Sequence, residues 1–146
     1  KYADTYTTNS SGVVDFTGVT DGDYAMSYAV TDGERDKGIN GLDVSDVLDI
    51  SSNLNTSPTA KQKVCADVNQ DGSVNGLDVS LVLDWSSSLN NSAGTVVLRD
   101  ATKSNPFDGT SGADKLIAIT AGNNMNFDAY LLGDMNGSYA DALAAG

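Results

Sequence analysis

Residues 67–78 place oxygen-bearing side chains at loop positions 1, 3, 5, 9 and 12 around a glycine at position 6. Ca²⁺ takes six to eight oxygen ligands at roughly 2.3–2.6 Å, and a short loop supplies them when alternate residues point inward and glycine relieves the sharp turn. The spacing therefore predicts a calcium loop. Its predicted ligands are Asp67, Asn69, Asp71, Ser73 through its carbonyl, Asn75 and Asp78.

The same pattern occurs twice, at an offset of 35 residues: residues 39–51 read INGLDVSDVLDIS and residues 74–86 read VNGLDVSLVLDWS. The offset predicts a second ion loop with ligands at Asp32, Glu34, Asp36, Gly38, Asn40 and Asp43. Lys37 stands where Gly72 turns the other loop, and a non-glycine residue with positive φ is strained. We therefore expect weaker calcium binding at the first loop. A single Asx-rich loop is compatible with a solvated turn, whereas two loops in register favour ion sites.

Each loop leads into a helical pattern, because apolar or small residues recur at intervals of three and four. The predicted stripes are Val44, Val47, Leu48, Ser51 and Leu54 in the first copy and Val79, Val82, Leu83, Ser86 and Leu89 in the second. Asp43 and Asp78 also suit the first turn of a helix, where the dipole favours a carboxylate. Residues 55–64 predict a turn and a further short helix, with Pro58 in its first turn.

The paired repeat resembles the type I dockerin, a small bacterial module made of two calcium loop-helix repeats. The loop of that family is written D-x-N-x-D-G-x-x-N-x-x-D. Residues 67–78 match it at every specified position, and residues 32–43 depart from it at Glu34 and Lys37. The resemblance covers roughly residues 31–90. It implies a module with two Ca²⁺ ions that binds cohesin domains and attaches secreted proteins to cellulosome-like assemblies for polysaccharide degradation.

The resemblance also implies a partner-facing surface. In the family this surface uses the tenth, eleventh, seventeenth and eighteenth positions of each repeat. On this chain those positions hold Gly41, Leu42, Leu48 and Asp49, and then Gly76, Leu77, Leu83 and Asp84. The Ser-Thr and Lys-Arg pairs that are familiar at these positions are absent from this chain.

Composition excludes several function classes. The chain carries 20 acidic and 8 basic residues for a net charge of −12, which disfavours nucleic acids and anionic membranes as partners. No apolar run is long enough for membrane insertion. Asp46 and Asp49 could in principle act as an acid-base pair, but the chain has no histidine and no nucleophile-base constellation. We therefore expect no enzymatic activity. A start at Lys1 without a basic-then-apolar leader is expected for a mature or excised protein, and the resemblance implies an extracellular, secreted or cell-surface bacterial protein.

The segments on either side of the repeats are strand-like. Residues 12–19 and 21–30 predict a hairpin, which resembles the closing strands of Ig-like or carboxypeptidase-regulatory-like sandwiches. Further strands are predicted at 95–99, 115–120 and 127–132. We expect an α+β fold in which the dockerin-like pair at 31–90 packs with or interrupts a β-sheet built from 1–30 and 91–146. A two-domain layout is the second choice, and contacts with neighbouring modules of the same parent chain are compatible with either.

Residues 133–139 read GDMNGSY and echo half a calcium loop. Position 12 counted from Asp134 is Ala145, so this stretch does not fit a third EF-type loop. We expect an Asx turn after a strand. The lone Cys65, between Val64 and Ala66, is predicted to be a small buried hydrophobe rather than a reactive thiol.

Two function classes remain. The first is a calcium-dependent module that binds a cohesin-like domain. The second is a calcium-stabilised structural or adhesion segment of a large secreted or surface protein, without a cohesin partner. The exposure of Leu42, Leu48, Leu77 and Leu83 distinguishes them, because exposed leucines would form an interaction surface and buried ones would form core.

Overall fold

The computed structural model of the chain describes residues 13, 18–24, 38–87, 96–107 and 117–138. Within these ranges it has three helices and four short strands. In chain order they are β1 Gly22–Tyr24, α1 Gly41–Ser51, α2 Ala60–Ala66, α3 Gly76–Ser86, β2 Val96–Asp100, β3 Ile117–Ile119 and β4 Phe127–Leu131. The predicted α+β fold class is confirmed.

Helices α1 and α3 begin with the same reciprocal cap. The Asn40 side chain accepts a hydrogen bond from the amide of Leu42 at 2.9 Å, and Asp43 accepts one from the amide of Asn40 at 2.9 Å. Asn75 and Asp78 form the equivalent capping box at α3. Such boxes satisfy amides that the first helical turn leaves without intrahelical acceptors, so each predicted loop does lead into a helix.

The buried faces of α1 and α3 differ from the predicted stripes. They consist of Asp43, Val47 and Ile50 on α1 and Asp78, Val82 and Trp85 on α3. Leu48 and Leu83 were predicted in the stripes but are exposed, because each is turned about 100° from the buried valine before it. Leu54 lies beyond the end of α1 and is also exposed, and Leu89 lies outside the described residues.

Helix α2 connects the two repeats. Its N-cap is Thr59, whose hydroxyl accepts from the amide of Gln62 at 3.2 Å. Pro58 therefore precedes the N-cap. The predicted position of Pro58 in the first turn of the helix is wrong. The helix continues to Ala66 and delivers the chain directly to Asp67, the first residue of the second loop.

The strands form two antiparallel pairs within the described ranges. β2 pairs with β4, with Val96 opposite Leu131, and β1 pairs with β3, with Tyr24 opposite Ile117. The strands predicted near 95–99, 115–120 and 127–132 are confirmed where they are described. Most of the predicted hairpin at 12–30 lies outside the described residues, so its sandwich resemblance stays a prediction.

One hydrophobic core joins the helices to the β2–β4 sheet. Its buried residues are Ile39, Val47, Ile50, Val64, Cys65, Ala66, Val68, Val82, Trp85, Val96, Val97, Tyr130, Leu131, Leu132 and Met135. Phe107 packs against this core from the polar loop after β2. Burial raises the pKa of the Cys65 thiol to about 12, with a further contribution from nearby Asp134 and Asp43. The buried position that was predicted for Cys65 is confirmed.

The chain turns sharply as it leaves β4. Gly133 has φ of +92°, and a Cβ atom there would lie 3.1 Å from Ile39 Cδ1 and 3.2 Å from Trp85 Cε3. Glycine is therefore required both by the backbone conformation and by the close approach. The turn places the following residues against the start of the first repeat. No helix within the described ranges is long and apolar enough to cross a membrane.

Val47 and Val82 test whether the two helices contribute equally to the core. Both are fully buried, so Val47→Ala and Val82→Ala should each lower the free energy of unfolding by about 2 kcal/mol through lost burial and a residual cavity. Urea denaturation with saturating calcium measures the change. Leu48→Ala is the matched exposed control and should change stability by less than about 0.5 kcal/mol; an equal loss in the control would contradict the assigned buried face.

Candidate calcium sites

The second loop lies between α2 and α3 and reverses the chain in a few residues. Asp67 is the C-cap of α2, and Asp78 lies in the first turn of α3. Gln70 and Gly72 have φ of +58° and +91°. The left-handed conformation at Gly72 confirms the turn that the sequence predicts at position 6 of the loop.

Asp67 organises the first half of this loop. Its side chain is 4% exposed, and its two oxygens accept from the amides of Asp71 and Gly72, each at 3.0 Å. Asn69 Oδ1 accepts from the Asp71 amide at 2.9 Å. A carboxylate has about four lone-pair sites, so these bonds orient Asp67 and leave it the capacity to bind a cation.

Asp78 ties both ends of the loop together. It is fully buried. Its Oδ1 accepts from the amides of Val68 at 3.0 Å and Asn69 at 3.3 Å, and its Oδ2 accepts from the amide of Asn75 at 2.9 Å. The three bonds fix the position of the carboxylate, and one lone-pair site of Oδ2 remains available.

The electrostatics of this loop fit a cation. Desolvation raises the pKa of Asp67 and of Asp78 above the ordinary value, and the charge of Asp71 raises both further. A bound cation would instead favour the ionised carboxylates. In the described part of the chain no three acidic, cysteine or histidine side chains are close enough to hold a metal by themselves. An ion here would need amide and carbonyl oxygens as well, which is the mixed donor set of calcium loops.

The first loop is described only in its second half. Gly38, Asn40 and Asp43 lie within the described residues, whereas Asp32, Glu34 and Asp36 lie outside them. Asp43 is fully buried. Its Oδ2 accepts from the amide of Asn40, as Asp78 accepts from Asn75.

Asp43 also binds a segment that the sequence did not connect to it. Its Oδ1 accepts from the amide of Met135 at 2.9 Å, across 92 residues of sequence. Burial is the main cause that raises the pKa of Asp43, and the charge of Asp134 adds to it. Residues 133–139 are predicted to contain an Asx turn after a strand. That turn is present, since Asn136 Oδ1 accepts from the amide of Ser138 at 2.8 Å. Asp134 Oδ1 also accepts from the amides of Gly137 and Ser138, at 2.9 and 3.1 Å.

The sequence contains one signal for this contact. Residues 134–136 share the D-x-N spacing with residues 67–69. Position 12 of a contiguous loop would be Ala145, so the pattern did not indicate that Asp43 contacts this stretch. Asp134 and Asn136 are therefore candidate site residues that sequence reasoning did not assign.

The predicted partner-facing positions lie on the surface of the two repeats. Leu42 and Leu48 are 69% and 47% exposed, and Leu77 and Leu83 are 56% and 51% exposed. Gly41 and Gly76 are exposed with open space around them, and Asp49 and Asp84 are half-buried. We call the four leucines the leucine surface. They do not fill the core, which is the alternative that the sequence left open.

Comparison with known proteins identifies one family. Residues 30–83 match the Dockerin type I domain, a range that contains the first repeat and the second repeat as far as Leu83. Type I dockerin domains are non-catalytic modules that bind calcium and bind cohesin domains. No curated protein and no solved structure matches the chain.

Asp71→Ala and Asp78→Ala separate a ligand role from a structural role. Asp78→Ala should lower the free energy of unfolding by about 2–3 kcal/mol even in chelator, because three amides lose their acceptor in a buried place. Asp71 is exposed, so Asp71→Ala should weaken calcium binding with a much smaller effect in chelator. Urea denaturation with and without calcium measures both, and equal losses for the two variants in chelator would contradict the roles assigned.

Proposed function

We propose that this chain, whose residues 30–83 match the Dockerin type I domain, is a calcium-dependent module that binds a cohesin domain of another extracellular bacterial protein. Two Ca²⁺ ions would be held, one by residues 67–78 and one by the first repeat. The module would attach its parent protein to a larger secreted or cell-surface assembly, such as one that degrades polysaccharides.

The leucine surface is the observation that carries this proposal. Single exposed leucines are ordinary in soluble proteins. Here two leucines on each repeat are about half or more exposed and occupy the positions that the family uses for its partner. Full burial of one leucine side chain against a partner contributes about 1.5–3 kcal/mol, so a few such contacts would dominate the binding energy.

Calcium would act by fixing the helices that carry the leucine surface. Asp43 and Asp78 lie in the first turns of α1 and α3, so an ion bound at either loop sets the start of the helix that presents Leu48 or Leu83. Residues 32–84 contain ten acidic and four basic residues. Two Ca²⁺ ions would neutralise four of the six excess negative charges and reduce their mutual repulsion.

The two repeats offer a partner near-identical surfaces. Leu42 and Leu48 correspond to Leu77 and Leu83 at the constant offset of the repeat, and α1 and α3 have the same length and caps. A half-turn that relates the repeats would superpose the two faces. A cohesin could therefore engage either helix.

A second candidate function follows from the packing of the repeats on the C-terminal sheet. Val47, Val82 and Trp85 share one core with Val96 and Tyr130. In this alternative, calcium stabilises a structural or adhesion segment that has no cohesin partner. Both candidates require calcium binding, and only the first requires a calcium-dependent complex.

Calcium should stabilise the folded chain strongly. Ligand that binds only the native state stabilises it by about 2.7 kcal/mol at a hundredfold excess over Kd. We therefore expect calcium to raise the melting temperature and to slow labelling of buried Cys65 by a thiol reagent, relative to chelator. Magnesium at equal ionic strength is the control, because it favours an octahedral shell that retains waters. Identical melting and labelling in calcium and chelator would refute the calcium sites.

The leucine surface can be tested against a panel of cohesin domains by biolayer interferometry. Leu48→Asp and Leu83→Asp should each weaken binding modestly, because the other helix still presents its face, and the double variant should abolish it. Leu54→Asp is the matched control, since Leu54 is exposed but lies outside both helices.

The possible outcomes distinguish the cohesin-binding function from the structural alternative. Binding that is lost in chelator and in the double variant supports the cohesin function. If one single variant abolishes binding and its counterpart has no effect, only one face is used. If calcium binds but no cohesin in the panel does, the structural alternative is favoured.

A further inference from the structure

We propose that the first calcium site is assembled from two distant stretches of the chain, with residues 134–138 as the first half of the loop and residues 38–43 as the second half. Asp134, Asn136 and Asp43 would be its main side-chain ligands. The inference rests on the proposed calcium binding and concerns which residues hold the first ion.

The carboxylates of Asp43 and Asp78 accept corresponding hydrogen bonds from backbone amides. In the second loop, Asp78 Oδ1 accepts from the amides of residues 68 and 69, at 3.0 and 3.3 Å. Asp43 Oδ1 accepts from the amide of Met135 at 2.9 Å. Met135, the residue after Asp134, therefore has the same relation to Asp43 that Val68, the residue after Asp67, has to Asp78.

The turn at residues 134–138 also reproduces the turn of the second loop. In the second loop the amide at position 5 donates to the side chains at positions 1 and 3, at 3.0 and 2.9 Å. Ser138 donates in the same way to Asp134 and Asn136, at 3.1 and 2.8 Å. The residue at position 4 has positive φ in both cases, +58° at Gln70 and +77° at Gly137.

The two stretches meet where one loop should continue into the other. Ser138 Oγ donates to the carbonyl of Gly38 at 3.0 Å. In the repeat, Ser138 corresponds to position 5 and Gly38 to position 7, whose carbonyl is a calcium ligand in loops of this kind. On the other side of the turn, Gly133 packs against Ile39 and Trp85. Direct contacts therefore join the two stretches at the break in the loop, between Ser138 and Gly38, and beside it, at Gly133.

The chemistry of this donor set fits calcium. Asp43 is fully buried and Asp134 is 6% exposed, and with Asn136 they offer only oxygen ligands. The family match is separate evidence, because it includes Asp43 but ends before Asp134. It assigns the first repeat to a calcium-binding family, while the structure indicates which residues accompany Asp43.

Residues 134–138 match the family loop at position 3, where the contiguous loop departs from it. Residues 134–136 read D-M-N and match the D-x-N of the family, whereas residues 32–34 read D-G-E; at position 5 the contiguous loop has the family's aspartate, Asp36, and the distant stretch has Ser138. An ion held by Asp43 and Asp134 would also join α1 to the turn after β4. Cross-links that close long loops give the largest stabilisation in the chain-entropy description, so calcium at this site would stabilise the whole arrangement of repeats and C-terminal sheet.

Three matched substitutions in the full chain test the inference: Asp134→Asn, Asp32→Asn and Asp67→Asn. Asparagine keeps an oxygen that can accept the turn amides at residue 134 and removes the charge. Isothermal titration with CaCl₂ should show two ions for the unaltered chain and for Asp32→Asn. We expect Asp134→Asn to weaken one of the two sites about 100-fold or more, since loss of an outer-shell partner already costs about 10–100-fold. Asp67→Asn should weaken the other site.

Amide chemical shifts provide a readout at the site itself. Calcium should shift the amide resonances of Met135 and Asn136, and Asp134→Asn should remove these shifts while those of Val68 and Asn69 persist. Emission of Trp85, the single tryptophan, which contacts Gly133, monitors whether each variant keeps its fold.

Each result has one consequence. If Asp32→Asn loses one ion and a folded Asp134→Asn retains two, the contiguous loop is correct and the inference fails while the proposed function stands. An Asp134→Asn variant that loses its fold in chelator is replaced by Asn136→Ala, for which the same loss of one site is expected and retention of two ions contradicts the inference. A chain that binds no calcium at all refutes the proposed function and the inference with it.

Discussion

The structure depends on two fully buried carboxylates, Asp43 and Asp78. Each completes a capping box at the start of its helix. Each also accepts a hydrogen bond from a backbone amide outside that helix, from Met135 to Asp43 and from Val68 to Asp78. Buried amides without acceptors are costly, so these two side chains determine where α1 and α3 begin and which segments lie beside them.

The same two carboxylates would connect stability to the proposed calcium binding. Desolvation disfavours their ionised forms and raises the pKa of each, and neighbouring aspartates add repulsion. A divalent cation reverses both effects, because it favours the charged carboxylates. In the proposed function, ion binding would therefore be coupled to the positions of α1 and α3, which carry the exposed leucines.

Much of this arrangement could be predicted from local sequence. The spacing of residues 67–78 specified a loop whose glycine turn and capping Asp78 are present, and the repeat specified two equal helices. The predicted helix faces were partly wrong, because hydrophobic periodicity included Leu48 and Leu83 in the buried stripes. The buried faces instead include an aspartate at the first turn of each helix, a polar position that no apolar pattern selects. Exposure of the leucines then follows from the geometry of the helix.

The sequence by itself determined the local features: loop spacing, helix caps, the Asx turn at residues 134–138 and the duplication that relates Asp43 to Asp78. These follow from interactions between residues a few positions apart, which the order of residues specifies directly. Only the tertiary structure decided which segment contacts Asp43. The hydrogen bond from Met135 spans 92 residues, and it exists because β4 pairs with β2, the sheet packs on the helices, and Gly133 turns the chain against Ile39 and Trp85. A contact of that kind depends on the packing of the whole core, so no short pattern could assign it.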